Sequence, residues 1–132
     1  QMVLRSLSFV REEVERTDAL IRDAGWEGTI YFRPPYGKRL FVLPRYLDRT
    51  GRKTVLWDIE PESYGDAART AERMTDHVVD RAVPGSIILL HVMYSSNSES
   101  RRALPLIVGR LKDQGYRFVT IAELFDESAD AG

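Results

Sequence analysis

The sequence predicts an α/β fold, a parallel sheet with alternating helices, and three observations carry that reading. Four short apolar runs, Thr29–Phe32, Thr54–Trp57, Ser86–Leu90 and Phe118–Ile121, have the length of strands. They are apolar throughout rather than alternating, as strands covered on both faces are. Stretches with helical spacing separate them, and strands that alternate with helices pair in parallel through right-handed crossovers. Four strands make a small open sheet; they are also what one half of a (β/α) barrel looks like.

In chain order, Ser8 is read as the N-cap of a first helix with Glu12 and Glu13 in its opening turns, where carboxylates suit the helix dipole. Val10, Val14, Thr17 and Ile21 form its stripe and Gly25 ends it. Trp26–Gly28 connects to the first strand. After the apolar Leu40–Val42, Pro44 opens a short helix ending near Gly51. The second strand stops at Asp58, and Ile59–Gly65 is a loop. Asp66 caps a helix with Ala67, Ala71, Met74 and Val78 on one face. Pro84-Gly85 precedes the third strand, which ends at His91. Val92–Ser100 is a polar, serine-rich loop, with the last serine of the run 95–98 capping the next helix. Ala103, Ile107 and Leu111 mark that helix, Gly115 closes it, and Glu123-Leu124-Phe125 begins a terminal helix. Ser128–Gly132 is read as a frayed tail.

A chain of 132 residues suits one domain, 1–132. Its 43% hydrophobic and 30% charged residues, at net charge −1, give no electrostatic case for nucleic acid or an anionic membrane. No apolar run is long enough to span a bilayer. The absence of cysteine excludes disulfides, thiolate metal sites and cysteine nucleophiles. The N-terminus, opening on Gln1, does not read as a signal peptide.

Arg33, Asp58 and His91 each follow a predicted strand. In a parallel sheet those ends share one edge, so a cation, a carboxylate and an imidazole are expected in one cleft, where α/β enzymes place their chemistry. A carboxylate that holds an imidazole fixes its tautomer and makes a competent general acid or base. His77 lies mid-helix with no second histidine three or four residues on, and reads as a partly exposed helix residue rather than a metal ligand. Trp26 and Trp57 read as core or pocket wall. No G-x-G-x-x-G, P-loop or G-x-S-x-G motif occurs.

Phe32-Arg33-Pro34-Pro35-Tyr36-Gly37 resembles the third motif of the polysaccharide deacetylases, the NodB-homology group of carbohydrate esterase family 4. Leu56-Trp57-Asp58-Ile59-Glu60-Pro61 is similar to their fourth motif region, and Pro84-Gly85-Ser86-Ile87-Ile88-Leu89-Leu90-His91 to their fifth. The closing Gly115–Leu124 and the leading helix fit as well, so the resemblance covers nearly the whole chain. It implies metal-dependent removal of N-acetyl groups from a carbohydrate polymer on a distorted (β/α) barrel. It also implies His91 as general acid, Arg33 orienting the base carboxylate, the Tyr36 backbone N–H at the oxyanion, and Leu89 lining the acetyl pocket. Pro35, Trp57 and Tyr64 complete the substrate-binding residues expected.

The departures are specific. The family's Thr-Phe-Asp-Asp and His-Ser/Thr-x-x-His motifs, which hold its base and metal ligands, are absent. Ser63-Tyr64 stands where the fourth motif ends in Asp-Trp, so Asp58, Glu60 or Glu62 has to supply the carboxylate that tunes the histidine. The chain therefore reads as the C-terminal portion of such a domain, inactive alone. A divalent metal, zinc by the resemblance, is expected only in the complete domain, with no metal ligand in this chain. The partners implied are an N-acetylated polysaccharide or oligosaccharide and either the missing N-terminal half or a second copy; the setting implied is secreted or cell-envelope. The alternative is a non-catalytic carbohydrate-binding or assembly module on the same fold.

Overall fold

Helices, more than strands, carry the architecture. The computed structural model describes residues 7–34, 47 and 49–130, which fall into two compact units, Gln1–Leu56 and Trp57–Gly132. Pro35, Tyr36, the Leu40–Val42 run and the opening of the short helix at Pro44 lie outside the described residues.

In the first unit, helix α1 (Leu7–Asp23) buries Val10 and Val14, one turn apart, with Leu47 and Phe32 against them. Ser8 lies inside α1 rather than at its cap. Gly25 ends the helix with φ of 91°, a left-handed conformation that glycine adopts without a Cβ clash. Its N–H donates to the Arg22 carbonyl at 2.9 Å. The Arg52 guanidinium holds the Asp18 carboxylate through both nitrogens. Phe32 and Thr54 form a parallel bridge, with the Val55 N–H donating to the Phe32 carbonyl at 2.8 Å.

In the second unit, Ile59 and Ile88 form a second parallel bridge. Two 3-10 turns, Pro61–Ser63 and Ala67–Arg69, lead into α2 (Ala71–Val79). The helix expected from Asp66 is thus split. Thr70 caps α2 instead, its hydroxyl accepting the Arg73 N–H at 3.2 Å. Helix α3 (Ser98–Asp113) presents Ala103, Ile107 and Leu111 to Ala71, Met74 and Val78 of α2, and this cluster with Ile59 is the unit's core. Glu99 of α3 accepts the Ala71 N–H at 2.8 Å, so one helix satisfies the first turn of the other. Helix α4 (Ile121–Asp130) opens on a reciprocal capping box. The Thr120 hydroxyl accepts the Glu123 N–H at 3.3 Å, and the Glu123 carboxylate accepts the Thr120 N–H at 2.7 Å.

The expected sheet contracts to the two isolated bridges among the described residues. Phe118–Thr120 makes no bridge, Phe118 is 47% exposed, and Ile121 already belongs to α4. An apolar run reports burial, whereas a strand also needs a neighbour in register to take its backbone groups. Ser128–Asp130, expected to fray, is helical.

Candidate active site

His91 follows the apolar run 86–90, two residues beyond buried Leu89, whose N–H donates to the Ile59 carbonyl at 2.8 Å. In extended backbone, residues two apart share a side. Asn97 occupies the N-cap position of α3 but does not cap it. Its side-chain amide donates to the His91 carbonyl at 2.9 Å. One turn on, Arg101 donates to the carbonyls of Val92, Tyr94 and Ser95. The start of α3 therefore holds both the histidine backbone and the loop that follows it. The expected serine cap of α3 is not what forms, because the helix begins at Ser98 itself.

The partner of the His91 ring is Glu62. Pro61, with its fixed φ, opens the 3-10 turn that carries Glu62, and the Ser63 N–H donates to the Glu60 carbonyl at 3.1 Å. From there the Glu62 carboxylate accepts the His91 backbone N–H at 2.9 Å on Oε1 and makes a short hydrogen bond to the ring Nδ1 through Oε2. The Ser100 hydroxyl donates to the same Oε1. A carboxylate accepts only, so Nδ1 carries the proton and Nε2 is left for proton transfer. The pair lies at the surface without being fully exposed, with 37% of the His91 side chain and 14% of the Glu62 side chain accessible. Burial by itself would raise the Glu62 pKa. The hydrogen bonds from Ser100 and from the His91 N–H and ring, with attraction to the imidazolium, more than reverse this, and the carboxyl titrates below the ordinary glutamate range.

Asp58 is not in this cluster. Its carboxylate accepts the Ile87 N–H at 2.6 Å and the Ser86 hydroxyl at 2.7 Å. Because Ile59 stands opposite Ile88, Asp58 faces the start of the 86–91 segment and not its end. His91 lies four extended residue steps, about 13 Å, beyond Ile87. The expectation that Asp58 joins His91 is corrected on that register. Asp58→Ala is expected to lower stability by about 1 kcal/mol in urea unfolding and to leave the amide resonance of His91 in place; a shifted His91 resonance would restore Asp58 to the site.

Arg33 is an exposed residue of the first unit, one position beyond the Phe32–Thr54 bridge. Trp57 is half-buried and donates its indole N–H to Glu60 at 3.0 Å. Tyr64 is 54% exposed, and its ring centroid lies 4.4 Å from that of His77. His77 is tied to α2 with Nε2 buried and unbonded. Burial first, and Arg81 second, lower its pKa.

Glu60, Glu62 and His91 offer ligand atoms that lie within 4.8 Å of one another. A catalytic metal needs three protein ligands and an open position. Here both Glu62 oxygens are bound by Ser100 and His91, Glu60 is bound by Trp57, and Nδ1 carries a proton. Glu62 and His91 are hydrogen-bonded to each other, and Glu60 separately to Trp57 through one oxygen. Sequence reasoning left Glu62 as one of three carboxylates and missed Ser100. Carrying the α3 stripe of Ala103, Ile107 and Leu111 one turn back reaches Ser100, the one polar position in it, and that signal was available.

No family model matches the chain. It is 38% identical over 95 residues to a peptidoglycan-N-acetylglucosamine deacetylase of Bacillus cereus, an alignment covering 72% of this chain and 45% of that protein. The solved peptidoglycan deacetylase PdaC of Bacillus subtilis superposes with a TM-score of 0.73 at 27% identity, over 96% of this chain and 59% of that one. A carbohydrate esterase family 4 pseudoenzyme of Bacillus anthracis superposes with a TM-score of 0.78 at 25% identity, over 96% of this chain and 43% of that one. The chain thus spans between 43% and 59% of each of these three proteins, and it has the fold of the family 4 deacetylases over that span.

Proposed function

We propose, from the chain's membership of the NodB-homology polysaccharide deacetylases of carbohydrate esterase family 4, that it supplies the acid half of an N-deacetylation site. The substrate class is an N-acetylated carbohydrate polymer, with peptidoglycan the nearest model because two of the relatives named above are peptidoglycan deacetylases. The observation that carries this reading is the His91–Glu62 pair: Nδ1 is fixed on a carboxylate and Nε2 remains for chemistry. Attack of water on the acetyl carbonyl yields a tetrahedral intermediate. Its C–N bond breaks as Nε2 of protonated His91 delivers a proton to the leaving amine, releasing acetate and the free amino sugar. In the second unit Leu89, Trp57 and Tyr64 take the acetyl and sugar contacts; in the first, Arg33 has the role of orienting the base carboxylate, the Tyr36 N–H that of the oxyanion donor, and Pro35 a substrate-binding role. The two parallel bridges belong, on this reading, to a distorted (β/α) barrel that the complete domain closes. A divalent metal in that domain would supply Lewis acidity toward the carbonyl and its attacking water, and on this reading residues other than Glu60, Glu62 and His91 would hold it. A cell-envelope or secreted setting follows from the substrate.

A non-catalytic carbohydrate-binding module is the second reading. It is favoured by Ser63-Tyr64, whose exposed tyrosine rests on His77 and leaves the family's Asp-Trp pair unreplaced at that position. Acetate release from N-acetylated peptidoglycan and chito-oligosaccharides decides between them. Release by the complete domain, and none by the 132-residue chain alone, is expected. Saturable binding with no acetate from either would select the binding module.

A further inference from the structure

Ser100 is 1% exposed in the first turn of α3, on the same stripe as the core residues Ala103, Ile107 and Leu111. A hydroxyl at a fully buried helix position is unfavourable unless it is bonded. It is bonded to Glu62 Oε1, and its oxygen also lies 3.9 Å from the Met74 sulfur. A hydroxyl has one proton, and an ionised carboxylate is a far stronger acceptor than a thioether, so the proton goes to Glu62. The Oε1 that takes it is the oxygen that accepts the His91 backbone N–H, while Oε2 binds the His91 ring.

We propose that Ser100 is a positioning residue for His91, acting through Glu62: it anchors the carboxylate to the helical core so that both contacts to the histidine are held in one orientation. The inference rests on the reading of His91 as the general acid, and it goes beyond that reading by assigning a residue with no contact to substrate. The physical case is rotational. Without Ser100, Glu62 rests only on His91 itself, and the two side chains can turn together. With it, Oε1 is tied to the start of α3, where Asn97 at the N-cap position and Arg101 in the first turns already hold the His91 carbonyl and the following loop. The hydroxyl is also the strongest of the contacts that hold the Glu62 carboxyl ionised. Glu60 is the other charged group in the cluster and keeps its own partner in Trp57.

The test is carbon-detected NMR titration of the Glu62 carboxyl in the full chain, with the backbone amide and ring resonances of His91 followed alongside and His77 as the internal control. In Ser100→Ala the Glu62 titration is expected to move to higher pH and the His91 amide and ring signals to shift, while His77 changes little. Ser100→Thr, which returns the hydroxyl, is expected to restore them. In the deacetylase domain Ser100→Ala is expected to lower kcat about tenfold at unchanged KM, by analogy with the loss of outer hydrogen-bond partners of metal-bound imidazoles. Wild-type Glu62 and His91 signals in Ser100→Ala, or equal shifts in Ser100→Ala and Ser100→Thr, would overturn the proposal. A domain without deacetylase activity would sink the functional reading, and the spectra alone would then decide whether Ser100 anchors the pair.

Discussion

His91→Ala in the complete deacetylase domain is expected to reduce kcat by about 10²–10⁴-fold, with KM for the oligosaccharide nearly unchanged. An amide expels a poor leaving group, so the collapse of the tetrahedral intermediate depends on proton delivery to nitrogen. Binding of the ground-state amide does not, which is why the loss falls on kcat. The geometry supports the assignment: Nδ1 is held by Glu62, and the ring remains 37% accessible. His91→Gln separates the proton-transfer role from the volume of the side chain, since it keeps a polar group of similar reach without a titrating nitrogen. Acetate release by His91→Ala at the wild-type rate would reduce His91 to a hydrogen-bonded strand-end residue.

The helices were legible because their signals are local. The Val10–Val14 pair and the Ala103–Ile107–Leu111 stripe bury where their period puts them, and Gly25 and Gly115 take the left-handed conformation at the ends they mark, with φ of 91° and 88°. His91 was legible for the same reason, as a polar residue that stops an apolar run. Asp58 was misread because a carboxylate at a strand end looks the same whether it faces a cleft or a neighbouring strand. Only the register, Ile59 opposite Ile88, decides which. Glu62 could not be chosen over Glu60 because the direction each side chain takes is set by the 3-10 turn at Pro61–Ser63, which the sequence presents only as a proline-containing loop. Thr70 rather than Asp66 caps α2, its hydroxyl accepting the Arg73 N–H, while Asp66 stands before the second 3-10 turn without a side-chain cap bond; two good capping residues four positions apart look alike in sequence.

Glu62→Ala is expected to be the most destabilising polar substitution in the second unit, at about 3 kcal/mol in urea unfolding, and to lower deacetylation with it. Three donors lose their acceptor at once: the Ser100 hydroxyl, the His91 N–H and the His91 ring. Ser100 is buried, so water cannot replace the lost bond there. The pH dependence has a definite sign. Burial opposes ionisation of Glu62, but the hydrogen bonds from Ser100 and His91 prevail and set its folded pKa below the ordinary value. A depressed carboxyl contributes stability that is fully present above the unfolded glutamate pKa and is lost as the pH falls through the folded one. The difference in unfolding free energy between wild type and Glu62→Gln should therefore be largest at neutral pH and shrink on acidification through the carboxylate range. The glutamine keeps the shape and one acceptor, so this comparison isolates the charge from the cavity that alanine leaves. A difference that stayed constant, or grew, as the pH fell would mean that Glu62 is not held ionised by Ser100 and His91, and the tautomer assigned to His91 would lose its support.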